Sequence, residues 1–215
     1  MKTILCFGDS NTWGAKPVKR YEVLERYSYD ERWTTILAKE LGAGYQVIAE
    51  GNPARTTLWD DPIEGFKNGK AYLGPCLESH QPLDLVIIML GTNDLKVRFS
   101  LSAQDIANSA GVLVDMVQRW KPAVGQAPQV LLIAPPPLGP LPSFWVDLFT
   151  GAHEKSRQFS RRYQEVVGYL GCEFLDAAEI VTPSEIDGIH YSAADHERFG
   201  KAVAQKVRGI LRAHG

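Results

Sequence analysis

No stretch of this chain stays apolar for the about 18 residues that a membrane-crossing helix needs. Neither sign of charge dominates, with 23 Lys and Arg against 25 Asp and Glu. The first absence argues against a membrane partner. The second removes the basic footprint that nucleic acid or an anionic surface selects. Cysteine is scarce: Cys6, Cys76 and Cys172 are an odd, scattered set with no CxxC or Cys/His spacing. Reduced core thiols in a cytoplasmic protein are therefore expected, with no metal. The N-terminus carries one lysine and then enters a strand-like run, without the long apolar segment and cleavage site of a signal peptide. Repeats and low-complexity tracts are missing too. What is present, 215 residues with 45% hydrophobic content, suits one globular domain, 1–215, with a full core.

Five short apolar segments read as strands: Thr3–Phe7, Tyr45–Glu50, Leu83–Leu90, Gln129–Ala134 and Cys172–Asp176. "LDLVIIML" is nearly continuous in hydrophobicity, as a strand buried on both faces of a parallel sheet must be. Helical periodicity fills the intervals. "DERWTTILAKELGA" offers Asp30 as a cap, apolar Trp33, Ile36, Leu37 and Leu41, and a closing Gly42. "SAQDIANSAGVLVDMVQRW" begins at a Ser102 cap and puts Ile106, Ala110, Leu113, Val117 and Trp120 on one stripe. Segments 151–170 and 192–213 read the same way. Strands alternating with helices predict an α/β domain with a five-stranded, doubly wound parallel sheet. The irregular stretches "NPARTTLWDDPIEGFKNGKAY" and "APPPLGPLPSFWVDLF" are long loops, which are often functional.

In an open α/β sheet, ligands bind beyond the carboxyl ends of the strands. The residues there are Gly8, Asp9, Ser10 and Asn11; Gly51 to Thr56; Gly91 to Asp94; and, after the fifth strand, Asp187 and His190 of "IDGIHYS". A serine hydroxyl is a weak nucleophile unless a base takes its proton. An imidazole can do so near neutrality, and a carboxylate on its other nitrogen fixes its tautomer. Asp187 precedes His190 by three residues, which on one turn of helix-like backbone leaves the side chains about 5–6 Å apart at Cβ. The Asn93 amide and the backbone N–H groups of Ser10 and Ala54 are the natural donors for a developing oxyanion.

"FGDSNTWG", "GNPARTT", "GTND" and "DGIH" resemble, in order, the four blocks of the SGNH (GDSL-type) hydrolase superfamily. The resemblance spans almost the whole chain. It implies a three-layer α/β/α, flavodoxin-like fold with an esterase site: Ser10 as nucleophile, His190 as base and Asp187 as its orienter. Ser10, Ala54 and Asn93 would form the oxyanion hole, with no cofactor and a small-molecule ester as substrate. Asn11, Trp13, Thr92 and Ile189 are expected in the substrate pocket. The family usually has glycine where "PARTT" has Ala54; the methyl should narrow the pocket or demand a negative φ. Within the superfamily, "ILCFGDSNTWG", "ARTT", "LDLVIIMLGTND", "APPPL" and "DGIHYS" resemble bacterial arylesterases and acyltransferases that form oligomers. That likeness implies short-chain acyl ester hydrolysis, acyl transfer to alcohols or peroxide as a second activity, and a homo-oligomer. "SFWVDLF" would then lie over the entrance as a hydrophobic wall and subunit contact.

The rival readings are a carbohydrate deacetylase, thioesterase or lysophospholipase of the same superfamily, and a non-catalytic flavodoxin-like binder. The binder lacks a G-x-G-x-x-G or P-loop lysine after the first strand and leaves Asp187 and His190 unexplained. The remaining polar residues have ordinary explanations. His80 closes a helix, His153 begins one, His196 lies on a solvated helix face, and His214 is next to the terminus. Arg55 reads as a loop anchor, and Pro135, Pro136 and Pro137 prevent regular structure after the fourth strand.

Overall fold

The computed structural model describes residues 1–20 and 23–213. In chain order the elements are β1 (Lys2–Gly8), α1 (Ser10–Trp13), α2 (Trp33–Leu41), β2 (Tyr45–Gly51), α3 (Gly69–His80) and β3 (Leu85–Met89). They continue as α4 (Ala103–Arg119), β4 (Gln129–Ala134), α5 (Ser143–Val146), α6 (Ala152–Ser156), α7 (Phe159–Leu170), β5 (Glu173–Asp176) and α8 (Ala193–Ala213). The sheet order is β2-β1-β3-β4-β5, parallel throughout. That order is the flavodoxin-like doubly wound one, with its crevice where β1 and β3 part company.

The strand period of two splits the core into two layers. Leu5, Phe7, Val86, Ile88, Val130 and Leu132 face α3, α4 and α7. Ile4, Cys6, Leu85, Ile87, Leu131 and Ile133 face α2 and α8, where Trp33 packs edge-on against Phe199 at 5.2 Å. The three-layer α/β/α prediction is thus what the chain adopts.

Besides shifts of one or two residues at strand ends, three differences from the sequence expectation have a visible cause. β3 ends at Met89 because the Leu90 carbonyl leaves the ladder and accepts from the Tyr163 hydroxyl at 2.7 Å. Asp30 does not cap α2. A Ser28–Glu31 capping box closes a separate 3₁₀ turn around it, and Asp30 pairs with Lys39 at 2.9 Å instead. Segment 151–170 is two helices, α6 and α7, parted after Ser156, whose hydroxyl donates to the His153 carbonyl and accepts from the Leu138 N–H. His214 lies outside the described residues. Among those residues no helix is long and apolar enough to cross a membrane.

Candidate active site

β1 stops at Gly8 because Asp9 turns the chain into α1, its carboxylate accepting from the Asn11 N–H at 3.0 Å. This puts Ser10 at the first position of α1, at the carboxyl edge of the sheet. The neighbouring strand must come very close: a Cβ on Gly51 would meet the Trp13 nitrogen at 2.1 Å, so no side chain fits there. On the other side of the crevice, Gly188 has φ +69 and a Cβ would meet the Gly139 and Pro140 carbonyl oxygens at 2.5 Å. That turn presents Asp187 and His190 to Ser10.

The three side chains form one hydrogen-bonded line. His190 Nε2 lies 2.9 Å from Ser10 Oγ, and His190 Nδ1 lies 2.7 Å from Asp187 Oδ2. Asp187 also accepts from the N–H groups of Val18 at 2.6 Å, Ile189 at 3.0 Å and His190 at 2.9 Å. Burial works to raise its pKa, but the hydrogen bond and charge of His190 and these amides outweigh burial, leaving it below the ordinary value. An ionised carboxylate has no proton to give, so Nδ1 carries the N–H. Nε2 then faces the serine hydroxyl as an acceptor.

Asn93 Nδ2 donates to the Arg55 carbonyl at 3.1 Å, leaving its second N–H without an acceptor among the described residues. The backbone N–H groups of Ser10 and Ala54 likewise have none there. A cavity of about 390 Å³ opens over these groups, walled by Ser10, Ala54, Asn93, Ile189 and His190, with Trp145, Leu148 and Phe149 opposite. The Trp145 ring stands 5.9 Å from the His190 ring.

The sequence profile of the GDSL-like Lipase/Acylhydrolase family matches residues 6–198. The chain belongs to this family. Solved structures bear out the GDSL-type assignment. The chain is 44% identical to the native aryl esterase of M. smegmatis, covering 97% of this chain and 99% of that one at a TM-score of 0.94. It is 46% identical to Est24, a carbohydrate acetylesterase from Sinorhizobium meliloti, covering 98% and 100% at a TM-score of 0.95. A carbohydrate acetylesterase family member from the same organism is 34% identical, covering 98% and 99% at 0.90. No curated protein matches at a significant level.

The residues foreseen for this GDSL-type site are placed as follows. Ser10, Ala54, Asn93, Asp187, His190 and Ile189 converge. Asn11, Trp13 and Thr92, expected beside Ile189 in the pocket, do not line the cavity. Asn11 is drawn into the backbone around His190, donating to the Ile189 carbonyl at 3.1 Å and accepting from the Tyr191 N–H at 3.2 Å. Trp13 instead lies under the Arg26 guanidinium, 4.5 Å away, and its carbonyl accepts from Arg26 Nε at 2.8 Å. Thr92 is spent in the 3₁₀ turn that follows it, accepting from the Leu95 N–H.

Ala54 also departs from expectation, with φ +66 rather than negative. The turn that closes from Arg55 N–H to the Asn52 carbonyl at 3.0 Å imposes it. Arg55 is held in turn by the Gly8 and Glu50 carbonyls at 3.0 and 2.5 Å. A left-handed alanine costs about 1–2 kcal/mol, which the anchored loop sustains.

Four charged groups near the site take on roles that the sequence pattern does not signal. Burial raises Asp9 and Asp94 to about 6; Asp94 accepts from the Thr57 N–H, tying the second loop to the third. Glu64 and Lys96 line the cavity. Nothing in the local pattern marks them, because they meet through a loop and a turn 32 residues apart. His196 is not on a solvated face but buried between Tyr27 and Tyr191, with Nδ1 accepting from the Trp33 N–H at 3.3 Å. Glu50, Cys76 and His80 bring potential metal donors within 4.8 Å of one another. Their needs are already met. His80 Nε2 is 2.8 Å from one Glu50 oxygen and the Tyr72 hydroxyl 3.2 Å from the other, while burial and then Glu50 push the Cys76 thiol up to about 12.

Proposed function

We propose that this GDSL-type hydrolase is a serine esterase acting on short-chain acyl esters through an acyl-enzyme. The line from Ser10 Oγ through His190 to Asp187 carries this reading. Ser10 Oγ attacks the ester carbonyl carbon while its proton passes to His190 Nε2. The tetrahedral oxyanion takes hydrogen bonds from the Ser10 and Ala54 N–H groups and from Asn93 Nδ2. Collapse breaks the bond to the alcohol, which leaves with the proton from His190. Water then attacks the acyl-serine by the same path, and Asp187 stays ionised throughout.

A cavity near the small end of the range for ligand sites favours a short acyl group over a lysophospholipid chain. The kinship to an aryl esterase and to carbohydrate acetylesterases points the same way. The apolar wall of Trp145, Leu148 and Phe149 favours acyl transfer to an alcohol or peroxide as a second activity, since it limits competing water. Ile63 and Phe66 are exposed on the loop that carries Glu64, and Val23 is exposed at the cavity wall. These exposed apolar side chains support a homo-oligomer, to be measured by light scattering. Three unpaired cysteines support a reducing, cytoplasmic setting.

The test is p-nitrophenyl acetate hydrolysis beside the Ser10→Ala variant. Turnover that collapses in the variant is expected. Equal activity in both proteins removes the assignment.

A further inference from the structure

Most of the cavity wall is apolar or belongs to the Ser10–His190 centre. Glu64 and Lys96 are the charged exceptions to it. They belong to a four-charge cluster. Lys96 Nζ is 2.6 Å and Arg98 Nη2 2.8 Å from the same oxygen, Glu64 Oε1. Asp61, whose side chain is 0% exposed, takes Arg98 at 2.7 Å and the N–H groups of Ile63 and Glu64. Two cations thus hold one oxygen of Glu64, while Oε2 has no donor among the described residues. The side chain is 37% exposed, open to the cavity. Lys96, at 4% exposure, gives one N–H to Glu64 and stands 3.7 Å from Asp61, too far for a hydrogen bond. Its other N–H bonds also lack a partner there.

A free carboxylate oxygen beside an ammonium offers one acceptor and one donor side by side. A hydroxyl group, which donates one bond and accepts another, satisfies both. A carboxylate is repelled by Glu64 and an ammonium by Lys96. The position is fixed relative to the reacting centre, because Lys96 closes the 3₁₀ turn that begins at Asn93, its N–H bonded to the Asn93 carbonyl at 3.3 Å. Trp145 adds an aromatic face beside His190 on which a ring can lie.

We infer that Glu64 and Lys96 are specificity-determining residues that bind a hydroxyl of the ester substrate, so that the protein prefers acyl esters of polyols or sugars to esters of plain alcohols. This rests on the esterase reading above and names the substrate class for that site.

The experiment compares kcat/KM for glycerol monoacetate and propyl acetate in the wild type and in Glu64→Gln. Glutamine keeps the shape and an acceptor oxygen for Lys96 but gives up the charge that binds the hydroxyl. The wild type is expected to favour the hydroxylated ester, and the variant to lose that preference by about tenfold, the factor for one hydrogen bond to a charged group. Ethyl lactate against ethyl propionate asks whether the hydroxyl is read on the acyl side instead. A Glu64-dependent preference confined to that pair overturns the polyol assignment. A substrate ratio within twofold of wild type, with the fold confirmed by an unchanged thermal midpoint, overturns the subsite altogether. A variant that does not fold sends the same measurement to Lys96→Arg, which retains the ion pair but displaces the donor; an unchanged ratio there counts equally against the subsite. Failure of the esterase reading is distinct: Ser10→Ala would then retain turnover on every ester.

Discussion

Asn11 grips the main chain on both sides of His190, donating to the carbonyl before it and accepting from the N–H after it. The residue next to the proposed nucleophile thereby sets where the proposed base sits, across 180 residues of sequence. Asn11 does not line the cavity, so its role is positioning. Asn11→Ala leaves the Ile189 carbonyl and Tyr191 N–H unpaired in a buried place and frees the loop. We expect kcat on p-nitrophenyl acetate to fall by about 10- to 100-fold with KM changed less than threefold, since a small misplacement of a reacting group has effects of that order. A matched loss in KM with kcat preserved would show that Asn11 shapes binding instead.

Asp187 serves two donors with one oxygen: Oδ2 accepts from both His190 Nδ1 and Val18 N–H. Asp187→Asn puts an amide nitrogen either there, against the His190 Nδ1–H and Val18 N–H donors, or, if the amide flips, against the Ile189 and His190 N–H donors on the other oxygen. The expected result is a fall in kcat of about 10³- to 10⁴-fold, as a wrong tautomer gives in the serine–histidine–aspartate template. Added imidazole should not restore it, because the fault lies in orientation. A loss under tenfold would remove Asp187 from the mechanism.

Much of this was legible in the sequence, and the reasons differ between fold and site. Strands buried on both faces leave continuous apolar runs such as Leu85–Met89, and helices leave 3.6-residue stripes. The topology then follows from their alternation. Ser10, Asn93, Asp187 and His190 were visible because each follows its strand in a recognisable block. Glu64, Lys96 and the Asn11 clamp were not, since they depend on where long loops land, and loops carry no periodicity. The positive φ at Ala54 is not legible from the alanine itself, because it depends on the carbonyls that pin Arg55 next to it.

That strained position makes a stability prediction. Ala54→Gly removes the left-handed penalty while adding disorder to the unfolded chain, and the first effect is the larger where φ is positive. A gain of about 0.5–1 kcal/mol is expected, or about 1–4 °C in thermal midpoint for a domain of this size. The backbone N–H survives the change, so ester turnover should persist. A lowered midpoint would show that the methyl packs more usefully than its backbone strains.

His196 gives the protein a definable weakness in acid. Burial first, and then the charge of His190, lower its pKa from 6.5 to about 4, against a smaller upward pull from Asp195 and the Ala15 backbone. The unfolded chain therefore takes this proton near pH 6.5 and the folded chain not until about pH 4. The contribution of the neutral ring to stability is complete above 6.5 and is lost as pH falls toward 4, amounting at full extent to about 3 kcal/mol. Asp9 and Asp94, raised to about 6, act with the opposite sign, since their folded forms accept protons first as pH falls. The difference between the wild type and His196→Gln isolates the histidine. Glutamine can still accept from the Trp33 N–H but does not titrate. Denaturant midpoints at about pH 7 and pH 4.5 should show the advantage of the wild type shrinking by at least about 1 kcal/mol. An advantage that stays constant between the two would mean that His196 titrates alike in the folded and unfolded chain.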